Sequence, residues 1–155
     1  MQRRDSRLVR SLVVWYGLYQ LIHTCAGAGI GVNLRGLFQL ARGGIDFPAL
    51  PPAAGWTAQV IHFFAGMAGL DLLNAVLTLV FVLGYFRQTR WRWWLGTLTL
   101  TISMYAAVLF DYATVASGAW TSANLPGYLF INVTFLPVVW LFGLVCVWGM
   151  RGELR

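Results

Sequence analysis

Four long apolar runs leave this chain little choice of fold: Leu8 to Leu34, Trp56 to Phe86, Trp93 to Ala116 and Pro126 to Met150. Each is long enough for a helix to cross a bilayer, which takes roughly 20 residues. Together they take up most of the 155 residues, so no stretch is left for a separate soluble domain. With 59% hydrophobic and 10% charged residues and a mean hydropathy of +0.68, the side chains are too apolar to hide in one small soluble core. The expected fold is all-α: one transmembrane domain, an integral membrane four-helix bundle with spans at about 8–34, 56–86, 93–116 and 126–150.

The net charge of +6 would suit a nucleic-acid binder, but its placement argues for topology instead. All eleven basic residues are Arg. Arg3, Arg4, Arg7 and Arg10 precede or open the first run, Arg87, Arg90 and Arg92 lie between the second and third, and Arg151 and Arg155 follow the fourth. Only Arg35 and Arg42 fall in the first connection, and the third connection has none. Such sorting is the positive-inside pattern and puts both termini in the cytoplasm. The expected partners are membrane lipids, anionic ones included, and not nucleic acid. Trp56, Trp91, Trp93, Trp94, Trp120 and Trp148 stand near the ends of runs, as an aromatic belt requires. The membrane would be the cytoplasmic membrane in a bacterium or the endoplasmic reticulum in a eukaryote.

The first run could be a signal peptide ending near Ala26-Gly27-Ala28, but it stays apolar to Leu34 and reads as a retained helix. Gly27 and Gly31, like Ala65 and Gly69, form small-xxx-small surfaces on which two helices can approach closely. Between the first two runs, Gly36 to Ala41 suits a short interfacial helix. Gly43-Gly44, Pro48 and Pro51-Pro52 then form an irregular crossing that could cover the outer mouth. On the third run, Thr97, Thr101, Met104, Asp111 and Thr114 share one helical side. Pro137 is expected to bend the fourth helix. Cys25 and Cys146 differ too much in depth to pair and read as small buried apolar groups.

Acids inside apolar runs carry the functional expectation, because a charge at mid-bilayer costs at least ~3 kcal/mol without a partner or water. Asp71 sits in the middle of the second run. Counting ~1.5 Å per residue from the outer ends puts His62, Asp111 and Asn132 in one layer roughly 8 to 10 Å down. The same count puts His23 roughly 16 Å and Asp71 roughly 22 Å down, about one helical turn apart. His23 and Asn74 are therefore the partners expected for Asp71. His23, His62, Asp71, Asp111 and Asn132 are the candidate ligand contacts, with His62 and Asp111 the candidates for proton transfer. No Gly-rich phosphate loop, nucleophile elbow or His-x-x-x-His is present, and two lone histidines make a poor haem site. No cofactor or metal is expected.

Gly17-Leu18-Tyr19 with Leu21 and His23, and Leu109-Phe110-Asp111 followed by Ala116-Ser117-Gly118, resemble the EXPERA family of four-helix membrane proteins, which takes in sigma-2-receptor-like proteins and the emopamil-binding sterol isomerases. Pro51-Pro52 ahead of Trp56 and the Pro-containing fourth run are similar too. The resemblance implies a pocket for sterols or cationic amphiphiles, lined by acids. It also implies, for the isomerases, carboxylates and a histidine that shift a double bond by adding and removing protons. Asp111 matches the family's acid after Leu-Phe. The acid of the family's second span aligns near His62 and Phe63 or at Asp71, and that of its first span falls on Gly31 to Asn33, which are not acidic.

The function expected is binding of a hydrophobic, sterol- or isoprenoid-like small molecule inside the bundle. Two other readings remain open. One is a sterol or isoprenoid double-bond isomerase. The other is a non-catalytic subunit or assembly factor of a larger membrane complex, and a homodimer also fits the composition.

Overall fold

The computed structural model describes residues 7–25 and 58–150, without the side chains of residues 25, 58–66, 68 and 148–150. The remainder of the first run, the Gly27 and Gly31 surface, the interfacial segment and the Pro-rich crossing lie outside the described residues, as do the side chains of Cys25, His62 and Ala65.

Four helices account for nearly all of it: α1 (Arg7–Cys25), α2 (Ala58–Phe86), α3 (Arg92–Ala116) and α4 (Leu125–Met150). Among the described residues there is no strand. Stretches of α2 (Gly69–Phe86), α3 (Arg92–Ala116) and α4 (Leu125–Val147) are long and apolar enough to cross a membrane. Each helix packs on two others: α2 on α1 and α3, and α4 on α1 and α3. Contacts between His23 and Asp71 and between Tyr16 and Thr78 pair rising numbers with falling ones, so α1 and α2 run antiparallel. Asn74 with Ser103 and Phe81 with Gly96 give the same relation for α2 and α3.

Both described helix stops are built from backbone. After α2, Gln88 takes φ 54°, so that its N–H reaches Tyr85 O and the next N–H, of Thr89, reaches Gly84 O. After α3, Gly118 takes φ 73°, with its N–H on Val115 O and that of Ala119 on Thr114 O. Both are Schellman stops, which satisfy carbonyls left over at a helix end. Glycine adopts this left-handed geometry without a steric penalty. Gly118→Ala is therefore expected to lower stability by about 1 kcal/mol, read as a lower unfolding midpoint. Open space around Gly118 means no clash contributes to that loss.

The interior is tiered. Val9 and Val13 of α1, Tyr85 and Phe81 of α2, Trp93 and Leu100 of α3, and Val138, Leu141 and Val145 of α4 form an apolar plug. This plug sits at the end where α1 begins and α2 stops, the end that carries Arg7, Arg10, Arg87, Arg90 and Arg92. Tyr85 meets both Phe81 and Trp93 ring to ring, at centroid distances of 6.3 and 5.6 Å. Gly96 lets α3 close onto Phe81, since a Cβ there would come within 2.6 Å of the ring. Pro137 stands inside α4 and removes one backbone donor. Near it, the Trp15 indole donates to the Thr134 carbonyl at 3.0 Å, joining α1 to α4.

The outside is the reverse of a soluble protein. Ile22, Val76, Leu83, Val108, Phe130, Leu136 and Trp140 are all more than half exposed, and contiguous apolar surface on this scale is foreign to soluble monomers. Cys146 is free and half-buried.

Candidate functional site

Above the plug, three helices each contribute two polar side chains one turn apart: Tyr16 and Gln20 from α1, Asn74 and Thr78 from α2, Thr99 and Ser103 from α3. All six are buried. A spacing of four residues stacks both members of a pair on one helix face, and the three faces converge.

Counting protons fixes how they bond. Asn74 Oδ1 can only accept, so the Thr99 hydroxyl donates to it at 2.6 Å. Ser103 Oγ accepts from Gln20 Nε2 and from Asn74 Nδ2, each at 2.8 Å, which fills both of its lone pairs. Its own hydrogen then goes to the Tyr16 oxygen at 2.7 Å. Tyr16 in turn donates to Thr99 Oγ1 at 2.9 Å. The result is a closed cycle from Ser103 to Tyr16 to Thr99 to Asn74 and back to Ser103. Thr78 feeds it from the side, 2.7 Å from Thr99 Oγ1 and 3.1 Å from the Tyr16 oxygen. Bonds arranged head to tail in a low dielectric polarise one another and strengthen.

A cavity of about 200 Å³ opens beyond this network. Gln20, Asn74 and Ser103 belong to both, so the polar network forms one wall of the cavity. Met67, Ala106, Ala107, Phe110, Ile131 and Phe135 supply apolar wall, and the two alanines make room because they have so little side chain.

Four of the five residues expected as ligand contacts line this one cavity: His23, Asp71, Asp111 and Asn132. His23 Nε2 and Asp71 Oδ2 stand 3.9 Å apart, with the histidine 53% and the aspartate 27% exposed. At that separation they are loosely paired and keep their capacity for other partners. The Tyr19 ring stacks on His23 at a centroid distance of 6.2 Å and leans on Phe135 at 5.5 Å. Across the cavity, Asn132 Nδ2 donates to Asp111 Oδ1 and to the Tyr128 carbonyl, both at 3.0 Å, so both amide hydrogens are used. Trp120 stacks on Tyr128 at 5.2 Å and donates to Thr114 Oγ1 at 2.9 Å, bracing the α3–α4 end. His62 lies on α2, with its side chain outside the described residues. No three His, Cys, Asp or Glu side chains among the described residues are grouped to hold a metal ion.

Depth counting set Asp71 and His23 deeper than Asp111 and Asn132, and one cavity reaches all four. On α2 alone it runs from Met67 to Asn74, about 10 Å of helix. The polar side expected of α3 is inward in part: Asp111 lines the cavity and Thr114 is buried, whereas Thr101 is exposed and Thr97 spends its hydroxyl on the Trp93 carbonyl of its own helix at 3.0 Å. Thr99 and Ser103 are the buried hydroxyls of α3 that bond across to other helices. Sequence reading missed the six-residue network, and the repeated spacing of four in three helices is the signal that could have found it.

Among the described residues, the site and fold define an all-helical protein with three helices fit to cross a membrane and a polar-walled cavity among four helices. Comparison with protein-family models, with curated proteins and with solved structures finds no match to this chain.

Proposed function

We propose that this protein is an integral membrane four-helix bundle that binds a hydrophobic small molecule, sterol- or isoprenoid-like, in the cavity among its helices. The single observation that carries the reading is the cavity itself: apolar walls with His23, Asp71, Asp111 and Asn132 placed among them. Binding sites for small molecules have this make-up, mostly apolar with a few convergent polar groups. At about 200 Å³ the cavity is smaller than the roughly 300–1,000 Å³ usual for drug-sized ligands. It therefore takes one end of a sterol-sized molecule, and the remainder extends into lipid.

The exposed apolar surface of all four helices supports membrane residence. The described arginines, gathered at the end where α1 begins, support cytoplasmic termini. Membership of the EXPERA family is part of the proposal. In its support, Tyr19, His23, Phe110 and Asp111, which belong to the two motifs of that resemblance, all line the cavity.

Lipid mass spectrometry of the purified protein tests the reading. The wild type is expected to retain a small hydrophobic molecule that an Asp71→Ala, Asp111→Ala double variant loses. A wild type with no enriched lipid would overturn it.

One observation favours isomerase chemistry as a second reading. The His23–Asp71 pair and Asp111 face the same cavity, as proton donor and acceptor on one substrate must. Turnover of a sterol with a movable double bond would separate catalysis from binding. The subunit reading predicts copurification at fixed stoichiometry with other membrane proteins.

A further inference from the structure

The network does more than tie helices, because it holds one cavity residue with hydrogen-bonding capacity to spare. Gln20 is 7% exposed and lines the cavity. One hydrogen of its amide goes to Ser103 Oγ. Its carbonyl oxygen accepts from no group among the described residues. That oxygen is not among the fully buried unpartnered atoms, so it keeps access to the cavity, where an occupant that donates to it gains a hydrogen bond among apolar walls. Turning Gln20 away would give up its own bond to Ser103 Oγ, made at 2.8 Å beside the cycle.

The remaining capacity has a definite character. Gln20 keeps its carbonyl and one N–H, and Asn74 keeps one N–H. Ether, ketone and ester oxygens can accept but cannot donate to the carbonyl. An ammonium can donate but cannot accept from the amides. A carboxylate would be repelled by Asp71 and Asp111, which line the same cavity. A hydroxyl does both and is neutral.

We infer that the cavity takes an apolar alcohol, seated with its hydroxyl against the Gln20 amide and donating to Gln20 Oε1. This inference rests on the proposed binding function and specifies the ligand's polar end. Gln20 is then the specificity residue of the site, held in register by Ser103.

Two probes of matched shape test it: cyclohexylmethanol and its methyl ether, with binding to the full chain in lipid nanodiscs followed by ligand-observed NMR and protein-free nanodiscs subtracted. The alcohol is expected to bind about tenfold tighter than the ether, the worth of one buried hydrogen bond. In Gln20→Met that advantage is expected to disappear. Equal binding of the two probes by the wild type, or an advantage that survives Gln20→Met, overturns the inference and leaves hydrophobic-ligand binding standing. Binding of neither probe overturns both. If Gln20→Met does not fold, the wild-type ratio alone decides.

Discussion

Ser103→Ala is expected to lower the unfolding free energy by about 2–3 kcal/mol, out of proportion to the one oxygen removed. Alanine nearly matches serine in size, so the loss reports bonds and not a cavity. Ser103 Oγ holds the Gln20 and Asn74 amides and the Tyr16 hydroxyl at 2.7 to 2.8 Å. Without it two buried N–H groups lose their acceptor and the cycle opens. Hydrogen bonds between membrane helices average only ~0.6 kcal/mol each, but here three share one atom in a closed set. Thr101→Val is the control. Its side chain is exposed on the same helix two residues earlier, and a change of less than about 0.5 kcal/mol is expected. Reversible unfolding in detergent or by steric trapping measures both. If Ser103→Ala proved as mild as Thr101→Val, the network would not bear on stability.

Gly96→Val should cost about 3 kcal/mol, for a steric reason. The first atom added to Gly96 would lie 2.6 Å from Phe81 Cε2 and 3.0 Å from Cζ, well inside contact distance. Phe81 has nowhere to go. It is fully buried, with the Tyr16 and Tyr85 rings each centred 6.3 Å away. The helices must part instead, and with them the network that joins α2 to α3. Combining Gly96→Val with Phe81→Leu is expected to recover part of the loss, because the two sites share one contact. A strictly additive pair of effects would show that Gly96 acts through something other than Phe81.

Charge was the legible part of the candidate site. Asp71, Asp111 and His23 stand out in apolar runs because ionisable groups there are expensive. Asn132 joined them by its estimated depth. Hydroxyls carry no such signal. Thr97, Thr114 and Thr134 donate to carbonyls of their own helices, at 3.0, 2.8 and 2.8 Å. Thr99 and Ser103 instead bond across to other helices. In the sequence these two kinds of residue look alike, since any hydroxyl in an apolar helix can fold back onto the preceding turn. Depth counting could not outline the cavity for a related reason. It treats helices as parallel rods read from a common surface, whereas a cavity follows wherever small side chains such as Ala106 and Ala107 leave room.

By itself, the sequence determined that the chain is helical, that its long apolar stretches suit a membrane, and which acids sit inside apolar runs. Those properties follow from local terms: length, hydropathy and the price of an isolated charge. Only the tertiary structure decided that Tyr16, Asn74, Thr99 and Ser103 close a hydrogen-bonded cycle, and that His23, Asp71, Asp111 and Asn132 face one cavity. Both depend on how each helix is rotated about its axis. A nearly uniform apolar sequence leaves that rotation open, and packing such as Gly96 against Phe81 sets it.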